Sequence, residues 1–394
     1  MSKIYSIVTL LVCGVFSVTT AASNTSTVPE LFHGFDDNSN LVIDYTDLDS
    51  LLDAVVLDTG RSTRAKADPN HAKTGTRMKA KVNLYTVSEG NRFYYEIFKD
   101  NDQNQQTLAN IRARLESIPL AVPLEKFSRD EQLAYWLNLY NITVIGEIAR
   151  IYPTNDLRKV LTGKKSFLSR KLLNVAGVPL SLDDIQFTIL KQNYDGNPLV
   201  IYGLYQGNIG GPSIRKNAYT GKYVYADLID NAMEFINSNL GSMSKNDRVF
   251  KVSSLYDQNR AFFTDFEPDL TAHLLEYLEG TQREQLRVAT RIEADINDWS
   301  VTDLWGSQRE IGGSLTHSNA AMMGAVSGSG TAMTNTAAST SGGRYSPAVI
   351  ERLNKLNRKK STESGSGADP AGSPESTISS TAGEDAEQAD KVNQ

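Results

Sequence analysis

The sequence predicts an α+β fold: a single mixed helix/sheet domain followed by a long polar tail. Three observations point there. Several stretches repeat apolar residues at helical spacing, short β-branched runs sit between Gly and Pro residues, and the two kinds of stretch interleave without forming regular βαβ units. With 394 residues, of which 40% are hydrophobic and 22% charged, the composition is that of an ordinary globular chain able to build a sizeable core. The folded part is expected over about residues 29–305, with its core at about 81–240.

YTDLDSLLDAVV, Tyr45 to Val56, reads as the first helix. QNQQTLANIRARLESI, Gln103 to Ile118, is the second, with Leu108, Ile111 and Leu115 on one stripe. SRDEQLAYWLNLYNITVIGEIARIYP carries the third, opened by a Ser128 and Glu131 capping-box pair and closed before Pro153. Its apolar residues occupy both sides, so burial nearly all round is expected. GVPLSLDDIQFTILK then passes from a short strand into a helix capped by Ser181, with Asp184 three residues on. PLVIYGLY, Pro198 to Tyr205, reads as a buried strand, and Tyr225 to Ser238 as a further helix.

Both ends of the chain are of another kind. Lys3, an apolar run from Ile4 to Val18 and the small residues Thr20, Ala21 and Ala22 have the layout of a secretory signal peptide over residues 1–22. Export to a periplasmic or extracellular location is expected, with no stable membrane span after cleavage. Cys13 is the single cysteine and lies inside that segment, so the mature chain would hold no thiol. Disulfides, thiolate zinc sites and cysteine nucleophiles are thereby excluded. Residues 307–394 turn to Ser, Thr, Gly and Ala and read as a disordered low-complexity tail. Within it SPAVIERLNKLNRKK, Ser346 to Lys360, has the pattern of a short basic helix near 347–360.

A formal charge of −6 gives no electrostatic footprint for nucleic acid, and no cofactor motif is present. The partner expected is a small molecule, a peptide or a cell-envelope ligand. Candidate ligand groups concentrate after the apolar run, in IYGLYQGNIGGPSIRKNAYTGKY. Gly207, Gly210 and Gly211 free the backbone to turn its N–H groups toward an anion, Asn208 lies among them, and Arg215 would add a bidentate charge. A glycine turn needed only for packing accounts for the same residues. Ser213 is the candidate nucleophile, without a GxSxG elbow and with His33, His71, His273 and His317 all distant in sequence. Tyr219, Tyr223 and Tyr225 would either wall the loop or pack half-buried. Asn138 and Asn141, three apart on the third helix, would bind either a ligand or an adjoining backbone. Asp183 and Asp184 read as first-turn acids.

FDDNSNLVIDYTD imitates a calcium loop, with Asp36, Asn38, Asn40, Asp44 and Asp47 at positions one, three, five, nine and twelve. Leu41 replaces the turn glycine and Asp47 is shorter than the usual Glu, so a polar turn into a helix fits the same residues.

Through WLNLYN, SLDDIQFTIL, GNIGGPSIRKNAYT and DWSVTDL, over roughly Leu41 to Leu304, the chain resembles the domain of unknown function 547 family of bacteria and plants, as an exported bacterial member. The resemblance implies a pattern in which two cysteines follow the buried run and a histidine follows SLDDI, a pairing with the logic of papain- and transglutaminase-like thiol enzymes. Here Gly211 stands before Pro212, Gln206 stands near the upstream cysteine position, and Phe187 takes the histidine position. What the resemblance then implies is a binding or scaffolding module that keeps the fold without the thiol. The alternatives are a hydrolase or acyl transferase with a non-cysteine nucleophile, and a calcium-stabilised surface-attachment protein.

Overall fold

A computed structural model describes residues 27–64, 90–163 and 165–304. The signal-peptide segment, the tail and its basic helix lie outside the described residues. Among the described residues the architecture is α+β, about half helical, with three small sheets.

Helix α1 (Thr46–Val55) leads into strand β1 (Val56–Leu57), which pairs antiparallel with β2 (Arg92–Phe93). Helix α2 (Asp102–Ala121) buries Leu108, Ile111 and Leu115, the stripe its sequence presents, and Asn101 caps it through Asn104 N–H. Helix α3 (Arg129–Ile151) is the centre of the molecule. Only Arg129, Asp130, Gly146, Arg150 and Ile151 of its residues escape burial, as an apolar pattern on all sides requires. Ser128 caps it by accepting the Glu131 N–H.

After α4 (Arg158–Leu161), β3 (Leu173–Val175) and β4 (Val178–Leu180) form a hairpin. Its two turn residues, Ala176 and Gly177, both have positive φ. Ser181 and Asp184 then exchange side-chain to backbone bonds in both directions, the full reciprocal cap, and start a π-helix (Asp184–Leu190) that runs into α5 (Lys191–Asn193).

Pro198–Gly203, expected as a strand, is a 3₁₀ helix. Pro198 occupies its first turn and the Asn197 side chain accepts the Leu199 N–H, a local start signal. A short apolar run buried on every side has no period with which to declare its type. Gly203 allows it to lie between α3 and α6 (Val224–Ile236): a Cβ there would meet Leu137 and Leu228 within 3 Å.

The last sheet has the order β5 (Ser242–Ser244), β6 (Val249–Ser253), β7 (Arg291–Ile296), antiparallel then parallel. Helices α7 (Ser254–Gln258), α8 (Phe266–Tyr277) and α9 (Gly280–Val288) make the crossover. Among the described residues no helix is long and apolar enough to cross a membrane.

Candidate functional site

The glycine loop lies against α3 on one side and residues 298–302 on the other. Asn141, on α3, donates from Nδ2 to Gly203 O at 2.9 Å and accepts the Tyr205 N–H on Oδ1 at 2.9 Å. One turn earlier, Asn138 treats Tyr219 in the same way, at 2.8 and 2.9 Å. Each asparagine thus satisfies both halves of its amide on backbone, and together they fix the chain on both sides of the loop.

The loop's own backbone is also engaged. Ile209 N–H donates to Ser300 O and Gly210 N–H to Asp298 O, both at 2.8 Å, while Gly211 N–H turns back to Asn208 O at 3.1 Å. Thr302 donates to Gly207 O from both its N–H and its hydroxyl. Asn208 adds a bond from Nδ2 to Asp298 O, and its buried Oδ1 has no partner among the described residues. The DWSVTD segment is therefore threaded between residues 155–157, which follow α3, and the loop, and takes up N–H groups that an anion nest would need. Two glycines are required by this packing. Gly207 has φ +79° with a Cβ position 2.0 Å from Ile148 Cδ1, and at Gly210 a Cβ would lie 2.5 Å from Asp298 N.

Arg215 is held by acids and amides of α6. Nη2 reaches Asp227 Oδ1 at 2.8 Å; Nη1 reaches Asn231 Oδ1 at 3.1 Å and Asp230 Oδ2 at 3.5 Å. Asn231 in turn donates to Tyr202 O and to the Tyr219 hydroxyl. Tyr219 is buried beneath this cluster, and burial raises its pKa. Tyr223 stands at the surface and Tyr225 is half-buried, so the three tyrosines do not form one wall.

Ser213 donates from Oγ to Glu234 Oε1 at 2.6 Å and accepts the Asn91 N–H at 3.1 Å. Burial raises the Glu234 pKa; the Ser213 bond opposes that, Asp58 and Asp230 add to it, and Arg215 opposes it. Among the described residues neither histidine is bonded to Ser213: His33 Nε2 is 2.8 Å from Val28 O, and His273 Nε2 is 2.9 Å from the Tyr202 hydroxyl. His71 and His317 lie outside the described residues.

Glu234, Asp227, Asp230 and Asn231 were not singled out in the sequence, although one signal was available. Within the expected 225–238 helix their spacing of i, i+3, i+4 and i+7 puts all four on one face, the face turned to Ser213 and Arg215.

Asn138, Asn141, Arg215 and Tyr219, with Leu48, Leu52, Ile142, Ile145, Ile214 and Asn217, line a cavity with room for roughly one water molecule. The other sequence candidates lie elsewhere. Asp183 is pushed up by burial and by Asp184; in Asp184 burial is outweighed by bonds from Lys171 and Ser181, and its pKa falls. In the calcium-like loop Arg114 takes Asp44 Oδ2 at 2.8 Å and Asp47 Oδ2 at 2.6 Å, Asp36 accepts the Asn38 N–H, and Asn40 is exposed. Among the described residues no group of three or more His, Cys, Asp or Glu is placed to hold a metal ion.

What this arrangement defines is an α+β protein whose central glycine loop is clamped by two helix asparagines and a late return segment. Residues 124–236, from the approach to α3 through the end of α6, match the family described as "Protein of unknown function, DUF547". The chain carries a domain of that family. The matched residues include both asparagines, the glycine loop, Ser213, Arg215 and Glu234, but not DWSVTDL. No curated protein and no solved structure matches the chain.

Proposed function

We propose that the chain is an exported binding or scaffolding module that performs no chemistry at its glycine loop. One observation carries this reading: the polar groups suited to hold a ligand there, on Asn138, Asn141, Gly210 and Arg215, are engaged with the protein itself. The adjoining cavity, with room for about one water, is too small for a substrate. Recognition then belongs to the outer surface. The test is a thermal-shift screen of the mature chain, residues 23–394, against peptides, sugars, cell-wall fragments, small anions and divalent ions, with each stabilising compound incubated and weighed. Stabilisation without change of mass is expected. Steady consumption of any compound would sink the reading.

The Ser213 to Glu234 contact favours a second reading, a hydrolase or acyl transferase in which the carboxylate takes the hydroxyl proton as Oγ attacks a carbonyl. It requires that Ser213→Ala and Glu234→Gln each abolish a turnover seen in the same screen. Loss in neither variant removes this mechanism.

A further inference from the structure

Large apolar side chains are exposed around the first turn of α3: Leu31 (55%), Phe35 (47%), Leu41 (48%), Val42 (79%) and Tyr223 (53%). Hydrogen bonds and a ring contact tie them to that turn. The Phe35 ring lies 5.6 Å from the Arg129 guanidinium. Leu41 and Val42 run into Ile43, whose N–H is held by Glu131 Oε1, and Tyr223 follows Gly221, whose N–H is held by Glu131 Oε2. Leu31 precedes Phe32, whose carbonyl accepts from Asn193, and Asn193 O accepts from Arg129. An apolar patch with a polar rim marks an interaction surface.

The rim is acidic. Asp36, Asp37 and Asp130 are exposed beside the patch, while the charge of Asp195 is matched by Arg129 at 2.7 Å. Lys222 lies over the Tyr223 ring, 4.8 Å from its centroid. The fitting occupant is therefore an apolar face flanked by positive charge.

Residues 346–360 of this same chain have that chemistry. Val349, Ile350, Leu353 and Leu356 recur at helical spacing, with Arg352, Lys355, Arg358, Lys359 and Lys360 around them and Glu351 as the single acid. A helix this short is marginal alone in water and gains most of its stability from a surface that covers its apolar face. The reach also fits. Tyr152, just past α3, donates to Asp303 Oδ2 at 3.1 Å, so the described chain ends near the C-terminal end of α3, whereas the patch surrounds its N-terminal end. With 23 residues, α3 spans about 35 Å. The ~40 intervening residues, rich in Ser, Gly, Thr and Ala, have a root-mean-square span of about 35 Å as a random chain, which gives a tethered segment near its maximal effective concentration.

We propose that residues 346–360 dock in cis as a helix on the acid-rimmed apolar surface formed by Phe35, Leu41, Val42 and Tyr223. The proposal stands apart from the binding-module reading and fails or holds without it. The experiment places a photo-crosslinking benzophenone amino acid at Leu353 in the full mature chain, at dilute concentration, and maps the adducts by mass spectrometry. Adducts within the monomer to residues 31–42 or 219–225 are expected, with yield about tenfold lower in Val42→Lys and lower again in 1 M salt. Val42 is exposed enough that this substitution leaves the fold intact, which circular dichroism checks. A covalent dimer would assign the surface to a second copy and overturn docking in cis. Adducts scattered over the molecule, or a yield indifferent to Val42→Lys, would overturn it too.

Discussion

Glu131 and Gly221, ninety residues apart, are joined by a 2.9 Å bond from the glycine N–H to Oε2, while Oε1 accepts the Ile43 N–H at 3.0 Å. The carboxylate is almost fully buried in the first turn of α3. It does not return to Ser128, as the capping box of the sequence would have it; it latches two surface segments to one helix end. Glu131→Gln turns one acceptor into a donor facing a backbone N–H and should cost about 2 kcal/mol in urea denaturation. Gly221→Ala should cost a similar amount, because its Cβ would fall 2.8 Å from Glu131 backbone atoms. A neutral Glu131→Gln would show that the latch carries no stability.

The difference between local and distant signals explains what the sequence disclosed. α2, α3 and the Ser181 to Asp184 cap are written within three or four residues, and each is present, although at α3 only the Ser128 half of the expected capping box forms. PLVIYGLY was misread because a run buried on all sides has no amphipathic period. The role of Arg215 depends on acids twelve and fifteen residues away, and that of Glu131 on backbone groups eighty-eight and ninety away. The glycines were legible as a tight loop, but what they approach, Ile148 and Asp298, is set by tertiary packing alone.

Gly210→Ala should therefore be more damaging than loop position suggests. The added carbon would press on Asp298 N and O, backbone atoms that cannot swing aside, and would push the 298–302 segment off the loop. A loss of about 2–3 kcal/mol is expected, with Gly146→Ala, where nothing lies within 4 Å and α3 is regular, unchanged or slightly stabilised. Thermal melts of the two variants decide it.

Gly211 stands at one position where the family resemblance implies cysteine, and Gln206 stands near the other. A Cβ built on Gly211 lies 3.4 Å from Gln206 Cβ, close to the separation of bridged cysteines. The double substitution Gln206→Cys with Gly211→Cys should close a disulfide under oxidising conditions, read as a loss of 2 Da that dithiothreitol reverses. Two free thiols after air oxidation would mean that the loop holds those positions apart in solution.

His273 supplies a pH dependence whose sign is fixed. Burial lowers its pKa from the ordinary 6.5 to about 4, with the ring set among Tyr202, Phe263 and Tyr277. The folded protein thus prefers the neutral imidazole, and its contribution is complete above pH 6.5 and lost as pH falls toward 4. The gap of about 2.5 units corresponds to roughly 3 kcal/mol across that window. Glu234 acts in the opposite sense: an acid raised by burial favours the fold at low pH and loses that advantage as pH rises through its folded value. The two are separated by substitution. His273→Gln keeps a polar partner for the Tyr202 hydroxyl and cannot titrate, so its stability relative to wild type should improve steadily as pH is lowered from 7 to 4. Glu234→Gln keeps an acceptor for Ser213 and should gain on wild type as pH rises from 4 to 7. Urea denaturation at four pH values measures both differences, and parallel curves for wild type and His273→Gln would place a solvated histidine at position 273.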